Sequence, residues 1–564
     1  MEKIIIYQVL PRLFGNQTEQ PTKDGTMRQN GCGKMADFTP EALQQIKKLG
    51  ATHIWYTGVI EHATQTDYRR YGIKPDHPAV VKGRAGSPYA IKDYFDIDPD
   101  LAQDIPSRMK EFERLVERTH KNGLKVIIDF VPNHVARQYH SDHQPDSTTQ
   151  LGASDNTDLP FSPYNNFYYI PQQTLQCQFD MKGGATRPYV EFPAKATGND
   201  RFDAYPTQND WYETIKLNYG IDYLNGHTCH FNPTPDTWYK MLEIMLFWAG
   251  KGIDGLRCDM AEMVPVEFWE WAIPQVKRQY PELLFIAEVY NPQLYRDYLY
   301  RGHFDYLYDK VGLYDTLKGV VRGEQSATAI SGCWQNVNDI QVHMLNFLEN
   351  HDEQRLSSSF FAGDARKGIP ALLVSCLMNT NPMMIYFGQE LGEEGMENEG
   401  FSGLDGRTTI FDYWSIDKIR RWRNNNKFDG KLLTSEEHQL QSLYARVLQF
   451  CHTEKAISEG LFFDLTYVNI GGWRFDEHRQ YAFLRKYGHD LLLIAVNFSG
   501  EEADVAINMP AHAFNYMQFP EVDDMLATDL LTGKTEHVRL SPLRATNIVL
   551  PAYGGKVLKL SFGN

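Results

Sequence analysis

The stretch GIDGLRCDMAE, residues 252–262, decides how this chain folds. It opens as an apolar strand and ends by presenting Arg257 and Asp259, one residue apart and so on the same side of the strand. Neither side chain suits a strand interior. A guanidinium beside a carboxylate keeps the carboxylate ionised and nucleophilic, so a strand that finishes this way is a candidate catalytic edge. Arg-x-Asp alone is more often a structural ion pair; the neighbouring segments settle which it is.

Working outward, apolar segments rich in β-branched and aromatic residues recur at 4–9, 53–59, 125–130, 253–258, 284–287, 304–308, 342–348 and 383–387. Helical patterns follow at 40–49, 106–122, 237–250, 264–280, 292–300, 314–322, 367–378 and 435–451. The first helix carries Thr39 as N-cap, Pro40 at its first position and Gly50 just past its end. Strands alternating with helices in this way predict an α/β fold, a closed (β/α)8 TIM barrel with its active site at the carboxyl ends of the strands.

Two segments break the alternation. Residues 135–235, after the third strand, are rich in Asn, Asp, Pro and aromatics. A structureless loop of that length is improbable, so a subdomain inserted over the barrel mouth is expected. From residue 456 onward, short alternating runs such as YAFLRKY, LLLIAVNFS and KVLKLSF read as a C-terminal all-β sandwich, 456–564. The barrel then comprises 1–134 and 236–455.

Composition narrows the function. A formal net charge of −16 argues against nucleic acid or an anionic membrane as partner, because phosphate is bound through excess Lys and Arg. Aromatic residues at 13% suit platforms for sugar faces as well as core. Seven Cys without regular spacing describe neither a disulfide framework nor a zinc site and predict reduced thiols. MEKIIIYQVLPRLF lacks a signal-peptide core and cleavage site, and no segment reaches the roughly 18 apolar residues of a membrane span. The expected location is cytoplasmic.

Strand ends carry the chemistry. KVIIDFVPNH delivers Asp129, Asn133 and His134; the fourth strand delivers Arg257 and Asp259; LFIAEVY delivers Glu288; HMLNFLENHDEQR delivers His351 and Asp352. Converging carboxylates repel, so three at one barrel end are costly unless they serve a function. Glycosidic cleavage needs such a set, one carboxylate ionised and one protonated. Asp259, beside Arg257, is expected to have the lower pKa, and Glu288, at the end of an apolar strand, to be the protonated acid.

DFVPNH, GLRCDMAE, IAEV and ENHD, in this order, resemble the four sequence regions of the α-amylase superfamily, glycoside hydrolase family 13. The resemblance extends through THIWYTGVIEHAT and SPYAIKDYFDIDPDL and covers the barrel to about residue 450. It implies a retaining double displacement in which Asp259 is the nucleophile, Glu288 the acid and then the base, and Asp352 a stabiliser that holds sugar hydroxyls. It further implies that His134 and His351 bond sugar hydroxyls, that Arg257 orients Asp259 and that Tyr89 stacks under the sugar. WYETIKLNYG and DMAEMVPVEFW are similar to the neopullulanase, cyclomaltodextrinase and maltogenic amylase group.

Departures from the pattern are informative. Met260, Glu262 and Met263 do not match the residues usual after the nucleophile and leave α-1,4 against α-1,6 preference open. Lys216 places an ammonium where some relatives supply a calcium ligand, so no required metal is expected. The barrel starts at the first residues, without the N-terminal β-domain usual in the neopullulanase group, so any dimer must use another surface. The expected activity is hydrolysis of α-glucan oligosaccharides such as maltooligosaccharides, cyclodextrin or pullulan. The alternative is a transglycosylase using the same intermediate. A non-catalytic carbohydrate-binding relative would lack the nucleophile or acid, and both are present; a nucleotide-using enzyme would need a phosphate-binding loop, and none appears.

Overall fold

The computed structural model describes residues 3–145, 148–401 and 403–563. Eight strands close into a parallel barrel: β1 (Ile5–Val9), β2 (His53–Tyr56), β3 (Lys125–Phe130), β4 (Gly255–Cys258), β5 (Leu284–Ala287), β6 (Tyr306–Tyr308), β7 (Met344–Phe347) and β8 (Met383–Tyr386). Their order round the barrel is that of the chain, β8 closing on β1. The strands are almost wholly buried, which explains why their sequences read as near-continuous apolar runs rather than alternating ones. Register places Arg257 of β4 between Asp129 of β3 and Ile286 of β5.

Helices α1 (Pro40–Leu49), α2 (Arg108–Lys121), α3 (Asp236–Ala249), α4 (Val266–Gln279), α5 (Tyr295–Tyr300), α6 (Asp315–Val321), α7 (Ile369–Leu377) and α8 (Ser435–Thr453) follow the eight strands in turn. α1 starts and stops as its residues dictate: Thr39 Oγ1 accepts the Ala42 N–H at 3.3 Å, and Gly50 takes φ +117° at its end. A Cβ on Gly50 would lie 2.7 Å from Leu448 Cβ, so glycine there also lets α1 approach α8. Thr434 and Glu437 form the capping box of α8. Ala329–Asn336 and Asp417–Arg423 are additional helices without a counterpart in the sequence reading, being short and weakly periodic.

Among the described residues between β3 and α3 the chain makes only two- and three-residue strands. Thr214–Lys216 pairs with His134–Ala136, and Tyr169–Ile170 with Ala194–Lys195. Polar side chains supply much of the order. Asn166 bonds Gly152 N, Asp236 and Thr237, while Arg137 bonds Tyr212 O and Glu191.

Beyond α8 lie β9 (Leu461–Asp464), β10 (Gln480–Tyr487), β11 (Asp490–Asn497), β12 (Ala503–Ile507), β13 (Val522–Asp529), β14 (Thr535–Leu540), β15 (Thr546–Leu550) and β16 (Gly554–Ser561). Six form an antiparallel sheet in the order β9-β10-β11-β16-β13-β14, and β12 pairs with β15. The larger sheet is apolar on both faces. Tyr481, Phe483, Leu492 and Ile494 join the barrel core, while Leu484, Leu491 and Leu493 join a second core with Val505, Ile507 and Ile548. Arg485 locks the junction by donating to four carbonyls, those of Met378, Ala456, Ile457 and Gly460. Among the described residues no helix is long and apolar enough to cross a membrane.

Candidate active site

At the carboxyl end of the barrel the centre is Arg257, fully buried. Its Nη1 lies 2.8 Å from Asp259 Oδ1 and 3.5 Å from Asp129 Oδ1, and its Nε donates to Tyr308 Oη at 3.1 Å. Its Nη2 lies 2.8 Å from Glu288 Oε2, an ion pair without hydrogen-bond alignment. The guanidinium carbon sits 5.1–5.5 Å from the ring centres of Trp55, Tyr89 and Tyr308. Strand β4 hands this residue to the site because its neighbours β3 and β5 flank it in register.

The carboxylates are placed by main chain as well. Asp259 N bonds Phe130 O at 2.9 Å, and Glu288 N bonds Cys258 O at 3.1 Å, which fixes both strand ends. Immediately after Asp259 the chain kinks: Met260 takes the left-handed region at φ +43°, an uncommon conformation for a non-glycine residue. The kink aims the Met260 N–H at Glu288 Oε2, 2.9 Å away. Tyr290 Oη donates to the other oxygen, Oε1.

His351 bridges the remaining members. Gln8 Nε2 meets its Nδ1 at 2.7 Å and leaves its Nε2 to the other members. That nitrogen faces Tyr89 Oη at 2.6 Å and Asp352 Oδ2 at 3.0 Å. The Tyr89 ring stacks on His351 at 5.1 Å, and its hydroxyl donates to Asp129 Oδ1 at 3.1 Å. Asp129 also receives Trp55 Nε1 at 3.0 Å and Gly58 N at 3.2 Å.

The structure therefore gathers Tyr89, Arg257, Asp259, Glu288, His351 and Asp352 at one end of the barrel. His134 lies at the edge of this group, its imidazole 5.2 Å from the Trp211 ring and 3.2 Å from Asn133 Nδ2. Burial, with Lys216 and Lys82 nearby, brings its pKa to about 3, so it is a neutral hydrogen-bonding group.

One expectation needs correcting. Arg257 does not single out Asp259, because the same guanidinium serves Glu288 at an equal distance. Burial pushes the Asp259 carboxyl well above its ordinary value; Arg257 opposes this, while Glu288, Asp352 and Asp129 add to it. The reason is that one cation faces several carboxylates and cannot offset the burial of all of them. Asp352, whose side chain is 42% exposed, behaves differently. Burial works against its charge, yet His351, then Arg257 and Arg407, bring it down to about 2.

Five residues of this cluster have no assigned role in the sequence reading: Gln8, Trp55, Asp129, Tyr290 and Tyr308. A polar Gln8 and Asp129 inside apolar strands were the available signals; Trp55 and Tyr308 look like core aromatics. Glu262, which departs from the usual pattern, accepts Tyr290 N at 3.2 Å and Asn291 N at 3.0 Å and so anchors the loop after β5.

Lys216 donates to Asn133 Oδ1 at 2.9 Å and pairs with Asp200 at 2.5 Å. Its ammonium fills the place where a cation would bridge these oxygens, and the residues present do not fit calcium there. Asp93, Asp96 and His143 form a second group of metal-type ligands, but Arg108 Nε already occupies Asp96 Oδ2 at 2.9 Å. A cavity of about 960 Å³, lined by Lys3, His53, Lys125 and Pro382 among others, opens at the opposite, amino end of the barrel, far from this chemistry.

The family model of the alpha-amylase catalytic domain matches residues 8–430. Neopullulanase 2 of Thermoactinomyces vulgaris is 22% identical, with 99% of this chain and 77% of that protein covered. An alpha-1,4-glucan:maltose-1-phosphate maltosyltransferase of Cereibacter sphaeroides is 25% identical over 50% of this chain and 32% of its own length. Among solved structures, a noncanonic maltogenic alpha-amylase from Thermotoga neapolitana superposes with a TM-score of 0.62 at 18% identity, covering 99% of both chains, which shows a shared fold.

Proposed function

This chain belongs to the alpha-amylase family, and we propose that it hydrolyses α-glucan oligosaccharides with retention, through a covalent glycosyl-enzyme. The observation that carries this is a single buried guanidinium 2.8 Å from each of two carboxyl groups, which brings together the pair of acids that double displacement needs.

Asp259 attacks the anomeric carbon as Glu288 protonates the departing glycosidic oxygen, whose bond electrons stay with it. Glu288, now ionised, takes a proton from water, whose oxygen displaces Asp259 from the same carbon. Asp352 bonds hydroxyls of the sugar at the cleavage point and tightens as the ring flattens toward an oxocarbenium ion. Tyr89 is the stacking platform, His134, as a neutral imidazole, and His351 hold hydroxyls, and Arg257 orients the carboxylates. The named activities of the relatives support glucan oligosaccharides as the substrate class. The position of Lys216 supports activity without added calcium, and seven cysteines without a disulfide support a reducing, cytoplasmic setting.

The maltosyltransferase relative favours a second reading, in which a sugar hydroxyl rather than water intercepts the intermediate. The test is product analysis in EDTA on maltotriose, cyclodextrin and pullulan. The first product released should be the α-anomer; a β-anomer overturns retention. Free reducing ends in excess over longer transfer products favour hydrolysis, and the reverse establishes the transferase.

A further inference from the structure

Glu288 is held unevenly. Its Oε2 receives the Met260 N–H at 2.9 Å and faces Arg257 Nη2 at 2.8 Å, so that oxygen is the one committed to negative charge. The proton that an acid must deliver therefore belongs on Oε1. Among the described residues, the hydrogen-bond partner of Oε1 is the hydroxyl of Tyr290. That residue sits two positions beyond Glu288 on a loop whose main chain is pinned by Glu262 at both Tyr290 N and Asn291 N. Tyr290 itself is half-buried.

We infer that Tyr290 is a positioning residue for proton transfer: its hydroxyl donates to one lone pair of Glu288 Oε1, holds that oxygen on target, and leaves the other lone pair for the proton passed to the glycosidic oxygen. This rests on the reading of Glu288 as acid and base. In the first half-reaction the proton on Oε1 passes to the glycosidic oxygen as the bond to the anomeric carbon breaks. Oε1 is left charged in the glycosyl-enzyme, where a donated O–H stabilises it. In the second half-reaction the incoming water or sugar hydroxyl gives its proton to Oε1 as its oxygen bonds to carbon. Tyr290 ends each cycle with the proton it began with. Glu262 acts one step further back, by fixing the loop from which the tyrosine reaches.

The sign of the effect follows. An O–H donated to Oε1 favours the ionised carboxylate, so removing it raises the pKa of Glu288, and the protonated form needed for the first step persists to higher pH. Full-length Tyr290→Phe should shift the basic limb of kcat/KM for maltotriose upward by about one pH unit and lower the plateau by about tenfold. With α-glucosyl fluoride, whose leaving group needs no proton, kcat/KM should stay within about twofold of the unaltered enzyme. An unmoved basic limb, or equal losses on both substrates, would reduce Tyr290 to packing. Glu288→Gln on the same two substrates tests the underlying reading separately. A loss confined to maltotriose upholds Glu288 as the acid, and equal losses overturn that assignment whatever Tyr290 does. In the Glu288→Gln background, Tyr290→Phe should add no further loss; an added loss would show that the tyrosine acts through another group.

Discussion

Two buried arginines occupy opposite kinds of surroundings. Arg257 at the barrel mouth faces the carboxyl groups of Asp259, Glu288 and Asp129, while Arg485 at the sandwich junction donates to four main-chain carbonyls. Burial disfavours charge in both. At Arg257 it is overcome by Glu288, Tyr308, Tyr89 and Asp259, whereas Arg485 is pulled down to about 9. Carbonyl dipoles satisfy a cation and leave no net charge behind, so Arg485 acts as a fastener. Carboxylates around one cation leave surplus negative charge and a proton to share, which serves reaction rather than stability.

The sharpest way to break that contrast is Asp259→Asn. It should cut kcat by about 10⁴-fold or more, on the order of 5.5 kcal/mol, yet leave the melting temperature equal or slightly raised because a repelling charge has gone. Unchanged turnover would remove Asp259 as the nucleophile, and a clear fall in melting temperature would show that the site is built for stability. Arg485→Met should do the reverse: lose about 3 kcal/mol in urea unfolding, since buried carbonyls lose their donor, with kcat per folded molecule unchanged. A lower kcat well below the melting temperature would mean the sandwich contributes to catalysis.

Acid should weaken the barrel through its buried neutral histidines. His62 and His134 are held near 3 by burial, with the nearby cations Arg12 and Lys216 adding to the effect, and His53 near 4 by burial with Lys125. The unfolded chain takes up a proton at about 6.5, well before the folded one does. Their stability is thus complete above about 6.5 and declines as pH falls, by about 2 kcal/mol per histidine at pH 5. Urea midpoints at pH 7 and 5 measure it, and His62→Gln should flatten the slope; an unaltered slope would place the acid loss elsewhere. The smallest effect is expected from Trp55→Phe, which removes one donor from Asp129 while keeping the ring near Arg257. A loss of about tenfold in kcat/KM with little change in stability would add Asp129 to the machinery; no loss would make it a structural carboxylate.

Much of this was legible in the residues. Leu284–Ala287 and Lys125–Phe130 coincide with the strands read from composition, because buried parallel strands leave a continuous apolar signature. Asp259, Glu288 and Asp352 stood out because charge at the end of such a run needs a reason. Tyr290 and Trp55 did not, since a hydroxyl or an indole N–H that reaches a carboxylate looks in sequence like any other aromatic. The equal claim of Asp259 and Glu288 on Arg257 was likewise invisible, because sequence spacing shows the neighbour at 259 and not the one delivered from the next strand.

Sequence alone thus determined the alternation that closes the barrel, the sheet that follows it and which carboxyl groups stand at the strand ends, since each depends on local periodicity and residue chemistry. Only the tertiary structure decided which acids share Arg257, which oxygen of Glu288 meets Tyr290, and what Glu262 and Lys216 hold. These depend on distances between side chains that arrive from different strands and loops, and register, burial and the kink at Met260 set those distances.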